Sequence, residues 1–155
     1  MTIKAKPIPE GYHSVTPYLV ASSAASAIDF YKEAFGATER MRLAGPDGKV
    51  MHAELEIGDS AIMLGEQCAD GGSGPQSTGG APVSLYLYVE DVDAVFSRAI
   101  DAGATEKRPI ETHFYGDRSG TLVDPFGHVW SLATHVEDVS PEEIKKRTAA
   151  LFGGG

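Results

Sequence analysis

A chain of 155 residues that is 42% apolar can build a packed core and is too hydrophobic for a disordered polymer. Its 13 Lys and Arg against 22 Asp and Glu leave a net charge of −9, without the basic surplus that nucleic-acid binding needs to displace phosphate counterions. No apolar run approaches the roughly 18 residues of a membrane span, no apolar h-region follows the N-terminus, and one cysteine, Cys68, cannot form an internal disulfide. The expectation is a cytoplasmic protein with no membrane or nucleic-acid partner, whose negative charge serves solubility or a cationic small-molecule ligand.

In chain order, alternation predicts a strand over 14–20. Val15, Pro17 and Leu19 take one face; Thr16, Tyr18 and Val20 take the other. A helix over 24–35 follows, with Ile28, Tyr31 and Phe35 on one stripe and Gly36 placed to cap it. Strands are expected over 38–43, 49–57 and 60–64, turned by Pro46-Asp47-Gly48 and Gly58-Asp59. Within 51-MHAELEI-57, Met51, Ala53, Leu55 and Ile57 should pack beneath a helix; His52, Glu54 and Glu56 should form the opposite, polar face. The segment 66-EQCADGGSGPQSTGGAP-82 reads as a mobile connection, or as a flap over a site.

The same order then recurs: strand 83–89, helix 92–102 ended by Gly103, and strands 106–112, 119–124 and 127–135. Both helices run into Gly-Ala-Thr-Glu, at 36–39 and 103–106. Such self-similarity marks a duplicated supersecondary unit, here βαβββ. The expected organisation is one α+β domain over 12–136. Module 12–66 and module 83–136 compose it, with a flexible linker 67–82, and a helical tail 137–155 follows. Ser140-Pro141-Glu142-Glu143 carries the cap, first-turn proline and third-position glutamate of a helix start, and that helix reads as packing or dimer support.

Several residues carry chemistry. His52 and Glu54, two apart on a strand, share a face and can cooperate in proton transfer, or simply form a solvated polar surface. The opening strands carry matched pairs, Thr16 with Tyr18 and Ser84 with Tyr86, and the tyrosines suit an aromatic or drug-like ligand. Asp124 is expected to stabilise its own turn, Trp130 to lie in the core, and His13, His128 and His135 to be surface or satisfied histidines. Cys68 has no evident activating partner.

Paired βαβββ modules, Phe30-Tyr31 in the first helix and 124-DPFGH-128 before the last strand together resemble the vicinal oxygen chelate superfamily, also called glyoxalase/bleomycin resistance/dioxygenase. The stretches 17-PYLV-20, 51-MHAELEIGDSAIML-64 and 124-DPFGHVW-130 resemble its PhnB-like branch, and the resemblance covers 12–136. It implies two modules curving their sheets into a cup around a ligand, with Tyr18 and Tyr86 on opposite walls. Carried onto this chain, the family's metal-ligand positions fall on Thr16, Ser84, Ser131 and the stretch 61–65, where Met63 is the one residue able to ligate. Hydroxyls and a thioether are poor substitutes for imidazole, carboxylate or thiolate, so no metal site is expected. The segment 113-HFYGDRSGTLVDPFG-127 resembles the aromatic-Gly loop of bleomycin-resistance members. Phe114 and Tyr115 would then stack on a planar ligand, Asp117 would meet a cation and Arg118 an anion. The leading expectation is a metal-free homodimer that binds a small, antibiotic-like organic molecule. The alternatives are a lyase, isomerase or dioxygenase that uses a relocated Zn, Ni, Mn or Fe or the His52–Glu54 pair, and a structural or regulatory dimer.

Overall fold

The computed structural model describes residues 5–67 and 74–153. The chain divides into two compact units, the first reaching Ala81 and taking in Pro125–Gly127, the second comprising Pro82–Asp124 and the chain from His128. Cys68 lies outside the described residues.

The first unit contains β1 (Tyr18–Ala21), α1 (Ala24–Phe35), β2 (Thr38–Ala44), β3 (Val50–Ile57), β4 (Ser60–Glu66) and a one-turn helix, α2 (Pro75–Thr78). Its sheet has the order β1-β4-β3-β2, with β1 parallel to β4 and the other neighbours antiparallel. The α1 helix starts where Ser23 accepts from the Ser26 amide and stops where Gly36 adopts φ 70°, a backbone shape that costs glycine nothing. Its stripe is the expected one: Ile28, Tyr31 and Phe35 are buried, together with Ala24, Ala27, Phe30 and Ala34. Tyr31 stacks on Phe35 at 5.9 Å, and Phe30 meets both edge-on. These side chains cover one sheet face, where Ala53, Leu55 and Leu64 are fully buried.

The expected face of β3 is wrong at its first position. Met51 is 65% exposed, while Val50 takes the buried place. Leu43 pairs with His52 but Ala44 with Val50, so Met51 is an extra residue in a bulge that reverses the alternation on its N-terminal side. β1 also starts later than expected: Pro17 has no amide to give to a ladder, although its carbonyl accepts from Met63. In the segment expected to be mobile, 75–78 forms the α2 turn, capped by Gly79 at φ 88°.

The second unit contains β5 (Ser84–Tyr88), α3 (Val92–Asp101), β6 (Thr105–Thr112), β7 (Asp117–Val123), β8 (Val129–His135) and α4 (Pro141–Thr148), whose end winds into a wider π turn at Ala149–Gly153. Its sheet order, β5-β8-β7-β6, repeats that of the first unit. Asp91 caps α3 through the Ala94 amide, and Val92, Phe96 and Ala99 form its buried stripe. β7 begins at Asp117, two residues before the expected start, because Asp117 pairs with His135 at the end of β8. Trp130 is buried, as expected. Asp124 does more than close its turn: one oxygen accepts from the His128 amide and the other from the Trp130 indole, each at 3.0 Å. The tail helix is held by Arg147, which donates to Glu137, Glu143 and the Phe114 carbonyl.

Candidate functional site

In each unit the sheet face opposite the helix carries a hydrogen-bonded set of tyrosine, histidine and carboxylate. In the first unit, strand pairing places Tyr18, Met63, Gly65, His52, Glu54, Met41 and Leu43 on that face. His52 Nε2 lies 2.9 Å from Glu54 Oε2, and its Nδ1 lies 3.2 Å from the Tyr18 hydroxyl. The Tyr12 hydroxyl donates to the other oxygen of Glu54. A carboxylate only accepts, so a neutral His52 carries its hydrogen on Nε2 and leaves Nδ1 to accept from Tyr18. To reach His52, the Tyr18 phenol crosses β4 above Gly65. A Cβ added there would lie 2.8 Å from the Tyr18 oxygen and 2.8 Å from the Met51 carbonyl. Tyr18 is 51% exposed, whereas the His52 and Glu54 side chains are largely covered.

In the second unit the corresponding face carries Ser84, Tyr86, Tyr88, Ser131, Ala133, His135, Asp117, Ser119 and Thr121. Asp117 is its hub. Its Oδ2 accepts from Tyr86 at 2.8 Å and Tyr88 at 2.9 Å, and its Oδ1 meets His135 Nδ1 at 2.8 Å. The other nitrogen of His135 meets Asp138 at 2.8 Å. Burial alone would raise the Asp117 carboxyl; hydrogen bonds from His135, Tyr86 and Tyr88 outweigh it and hold the group below its ordinary value. The bond to Asp117, then that to Asp138, holds His135 above its ordinary value, favouring the imidazolium. Burial first, then the Asp117 bond, pushes the Tyr86 hydroxyl up; for Tyr88 the Asp117 bond comes first. Tyr86 and Tyr88 are nonetheless exposed residues, at 49% and 59%.

The expected residues fall into three groups. His52, Glu54 and Tyr18 come together, as do Tyr86 and Asp117, while Ser131 pairs with Thr121 at 3.0 Å beside Tyr86. Thr16 precedes β1 and Ser84 opens β5 as an exposed residue. Tyr115 stacks flat on His113 at 5.2 Å, and Phe114 packs edge-on against Tyr115 and Phe152 of the tail. Arg118 requires a correction. It projects to the α3 side of β7, bonded to both oxygens of Asp93 at 2.9 Å and to Thr112, so it is not positioned to meet an anion beside Asp117.

Tyr12, Tyr88 and Asp138 are not singled out by the sequence, and His135, expected as a surface or satisfied histidine, is satisfied by Asp117 and Asp138. Tyr88 was within reach, because it lies two residues after Tyr86 on the same strand face, and His135 likewise shares the phase of Ser131. Tyr12 gave no signal, since it meets Glu54 across 42 residues of chain.

The positions Thr16, Met63, Ser84 and Ser131 do not form a divalent-metal donor set, because none offers imidazole, carboxylate or thiolate. Among the described residues, no group of three or more His, Cys, Asp or Glu side chains is arranged to hold a metal ion. A cavity of about 750 Å³ lies by the β2–β3 turn and the end of β4, lined by Gly45, Pro46, Asp47, Met51, Glu66 and neighbours; none of the polar-set residues lines it.

Tandem βαβββ units with polar tyrosine-bearing sheet faces define a two-module α+β protein of the glyoxalase type. A family model for the Glyoxalase/Bleomycin resistance protein/Dioxygenase superfamily matches residues 12–132, and the chain belongs to that superfamily. It is 47% identical over 145 residues to the uncharacterised protein Rv0887c of Mycobacterium tuberculosis, covering 91% of this chain and 85% of that one. The structure of the Arabidopsis thaliana At5g48480 product matches with a TM-score of 0.65 at 27% identity, covering 79% of this chain and 98% of that chain. A Bacillus cereus structure described as a putative 3-demethylubiquinone-9 3-methyltransferase, PhnB protein, matches with a TM-score of 0.65 at 20% identity, over 79% and 99% of the two chains, and speaks for the fold alone. No helix among the described residues is long and apolar enough to cross a membrane.

Proposed function

We propose that this protein binds a small organic molecule on its tyrosine-bearing sheet faces without using a metal, as a PhnB-like, cytoplasmic homodimer. The observation that carries the reading is the exposure of Tyr18, Tyr86 and Tyr88, whose hydroxyls are nonetheless committed inward to His52 and Asp117. Each phenol proton is used within the protein, so a ligand meets ring faces and oxygen lone pairs. That surface favours an aromatic molecule bearing N–H donors or a positive charge, in keeping with the net charge of −9. The donor chemistry at Thr16, Met63, Ser84 and Ser131 supports the metal-free part of the proposal.

The test is a thermal-shift screen of aromatic amines, amidines and shape-matched carboxylates, with and without EDTA. The expected result is stabilisation by cationic aromatics that EDTA does not alter and that Tyr86→Phe weakens by about 1 kcal/mol. No shift with any cationic or aromatic compound would sink the binding reading. Stabilisation that EDTA abolishes would sink the metal-free part. Sedimentation at micromolar concentration checks the dimer.

A further inference from the structure

The three residues Tyr18, His52 and Glu54 form an order that binding alone does not call for. A carboxylate faces one nitrogen of an imidazole at 2.9 Å, the other nitrogen faces a phenol at 3.2 Å, and that phenol is the exposed end of the series. The carboxylate fixes the imidazole tautomer, the imidazole accepts the hydroxyl proton, and the oxygen so activated belongs to the most exposed of the three residues. These are the relations of nucleophile, base and orienting group in acyl transfer, here with a phenol as nucleophile. Two further features serve the geometry. Gly65 keeps β4 bare under the phenol, where any Cβ would collide with it. Tyr12 donates to the second oxygen of Glu54, which keeps the first oxygen turned to His52.

We infer that Tyr18 is a base-activated nucleophile that takes an acyl group from activated esters, with His52 as its general base and Glu54 as the positioning residue. The class of substrate is an uncharged acyl compound with a good leaving group. The face beside Tyr18 supplies Met41, Leu43 and Met63 for an apolar acyl or aryl portion, and Glu54 repels an anionic one. Tyr18 Oη bonds to the carbonyl carbon while its proton passes to His52 Nδ1. The tetrahedral adduct collapses, the bond to the leaving alkoxide or phenoxide breaks, and the proton on His52 goes to that leaving group. The product is an aryl ester at Tyr18. Water attacks its carbonyl carbon as His52 takes a proton from the water. The bond to Tyr18 Oη breaks, the proton returns from His52 to Tyr18, and the acyl group leaves as the carboxylic acid, with no oxidant or second cofactor.

The inference goes beyond the binding reading and asks no affinity of the tyrosine faces, so it is tested without the ligand screen. The full-length protein is incubated with p-nitrophenyl acetate, and acetylation is followed by peptide mass spectrometry. Tyr88 is the internal control: it is at least as exposed as Tyr18, but its proton is held by a carboxylate. Tyr18 is expected to acquire acetyl about 100-fold faster than Tyr88, within the range of general-base assistance. In His52→Gln, which can still hydrogen-bond but cannot carry the proton away, the Tyr18 rate should fall to that of Tyr88. In Glu54→Gln the fall should be partial. An unchanged Tyr88 rate and a wild-type circular dichroism spectrum and melting temperature in each variant show that the fold is intact. Acetylation of Tyr18 no faster than of Tyr88, or a wild-type rate in His52→Gln, would overturn the inference.

Discussion

The two units use one strand plan to hold opposite kinds of polar centre. In the first, the phenol crosses β4 over Gly65 and ends on an imidazole; in the second, two phenols reach from β5 past β8 and end on a buried carboxylate of β7. Gly65 and Ala133 occupy matching places, two residues along from Met63, the partner of Tyr18, and from Ser131, the partner of Tyr86. The difference decides where the proton sits. Asp117 accepts both hydroxyl protons; burial and then its bond raise Tyr86, its bond raises Tyr88, and the second unit presents rings and acceptor oxygens. In the first unit the phenol meets an imidazole nitrogen whose ring is held by Glu54, the arrangement on which the inference about Tyr18 rests. The two units share the strand plan, and single side chains set the difference between their polar centres.

The contrast can be broken most forcefully at the turns before the last strands. Asp124 satisfies the buried indole of Trp130, whereas Asp59 in the matching turn is exposed and bonds the neighbouring Ser60 hydroxyl. Asp124→Ala should cost about 3 kcal/mol in urea unfolding, and Asp59→Ala about 0.5 kcal/mol or less. Equal losses would show that the turns are equivalent after all.

Removing the hubs comes next. Asp117 is 5% exposed and accepts from three side chains, so Asp117→Ala strands two tyrosine hydroxyls and an imidazolium and should cost about 2–3 kcal/mol. Glu54 is nearer solvent, water replaces its bonds, and Glu54→Ala should cost about 1 kcal/mol. Gly65→Ala sharpens the comparison by giving the first unit the residue that the second carries at Ala133. The new methyl meets the Met51 carbonyl and the Tyr18 oxygen, so a loss of about 1–2 kcal/mol is expected, with Tyr18 displaced from His52. A crystal structure of the variant with the Tyr18–His52 contact intact would refute that role for the glycine.

The smallest effect is a pH dependence at the Asp117–His135 pair of the second unit. The His135 value is raised in the fold, so its contribution is complete below the ordinary value of 6.5 and is lost as pH climbs through the raised one. The Asp117 value is lowered, so its contribution is present above the ordinary value of 3.8 and is lost as pH falls through the lowered one. The stability difference between wild type and Asp117→Asn should therefore be widest between about pH 4 and 6.5 and narrow on either side. A difference that does not vary with pH would mean the ion pair with His135 contributes nothing.

What the sequence determined by itself is local and periodic. Helix α1 ran as expected from its stripe and its Gly36 cap, the βαβββ duplication stood out because each copy repeats the same pattern and Gly-Ala-Thr-Glu close, and the shared face of His52 and Glu54 followed from the two-residue period of a strand. What only the tertiary structure decided depends on pairing between strands. The bulge at Met51 comes from the register of β2 on β3, which no pattern within 49–57 encodes. Arg118 and Asp117 are neighbours in sequence, yet adjacent strand residues face opposite ways, and the pairing of Asp117 with His135 chose which of them joins the tyrosines. The contact of Tyr12 with Glu54 joins residues 42 apart, through a closure that depends on how the chain packs and leaves no periodic trace in it.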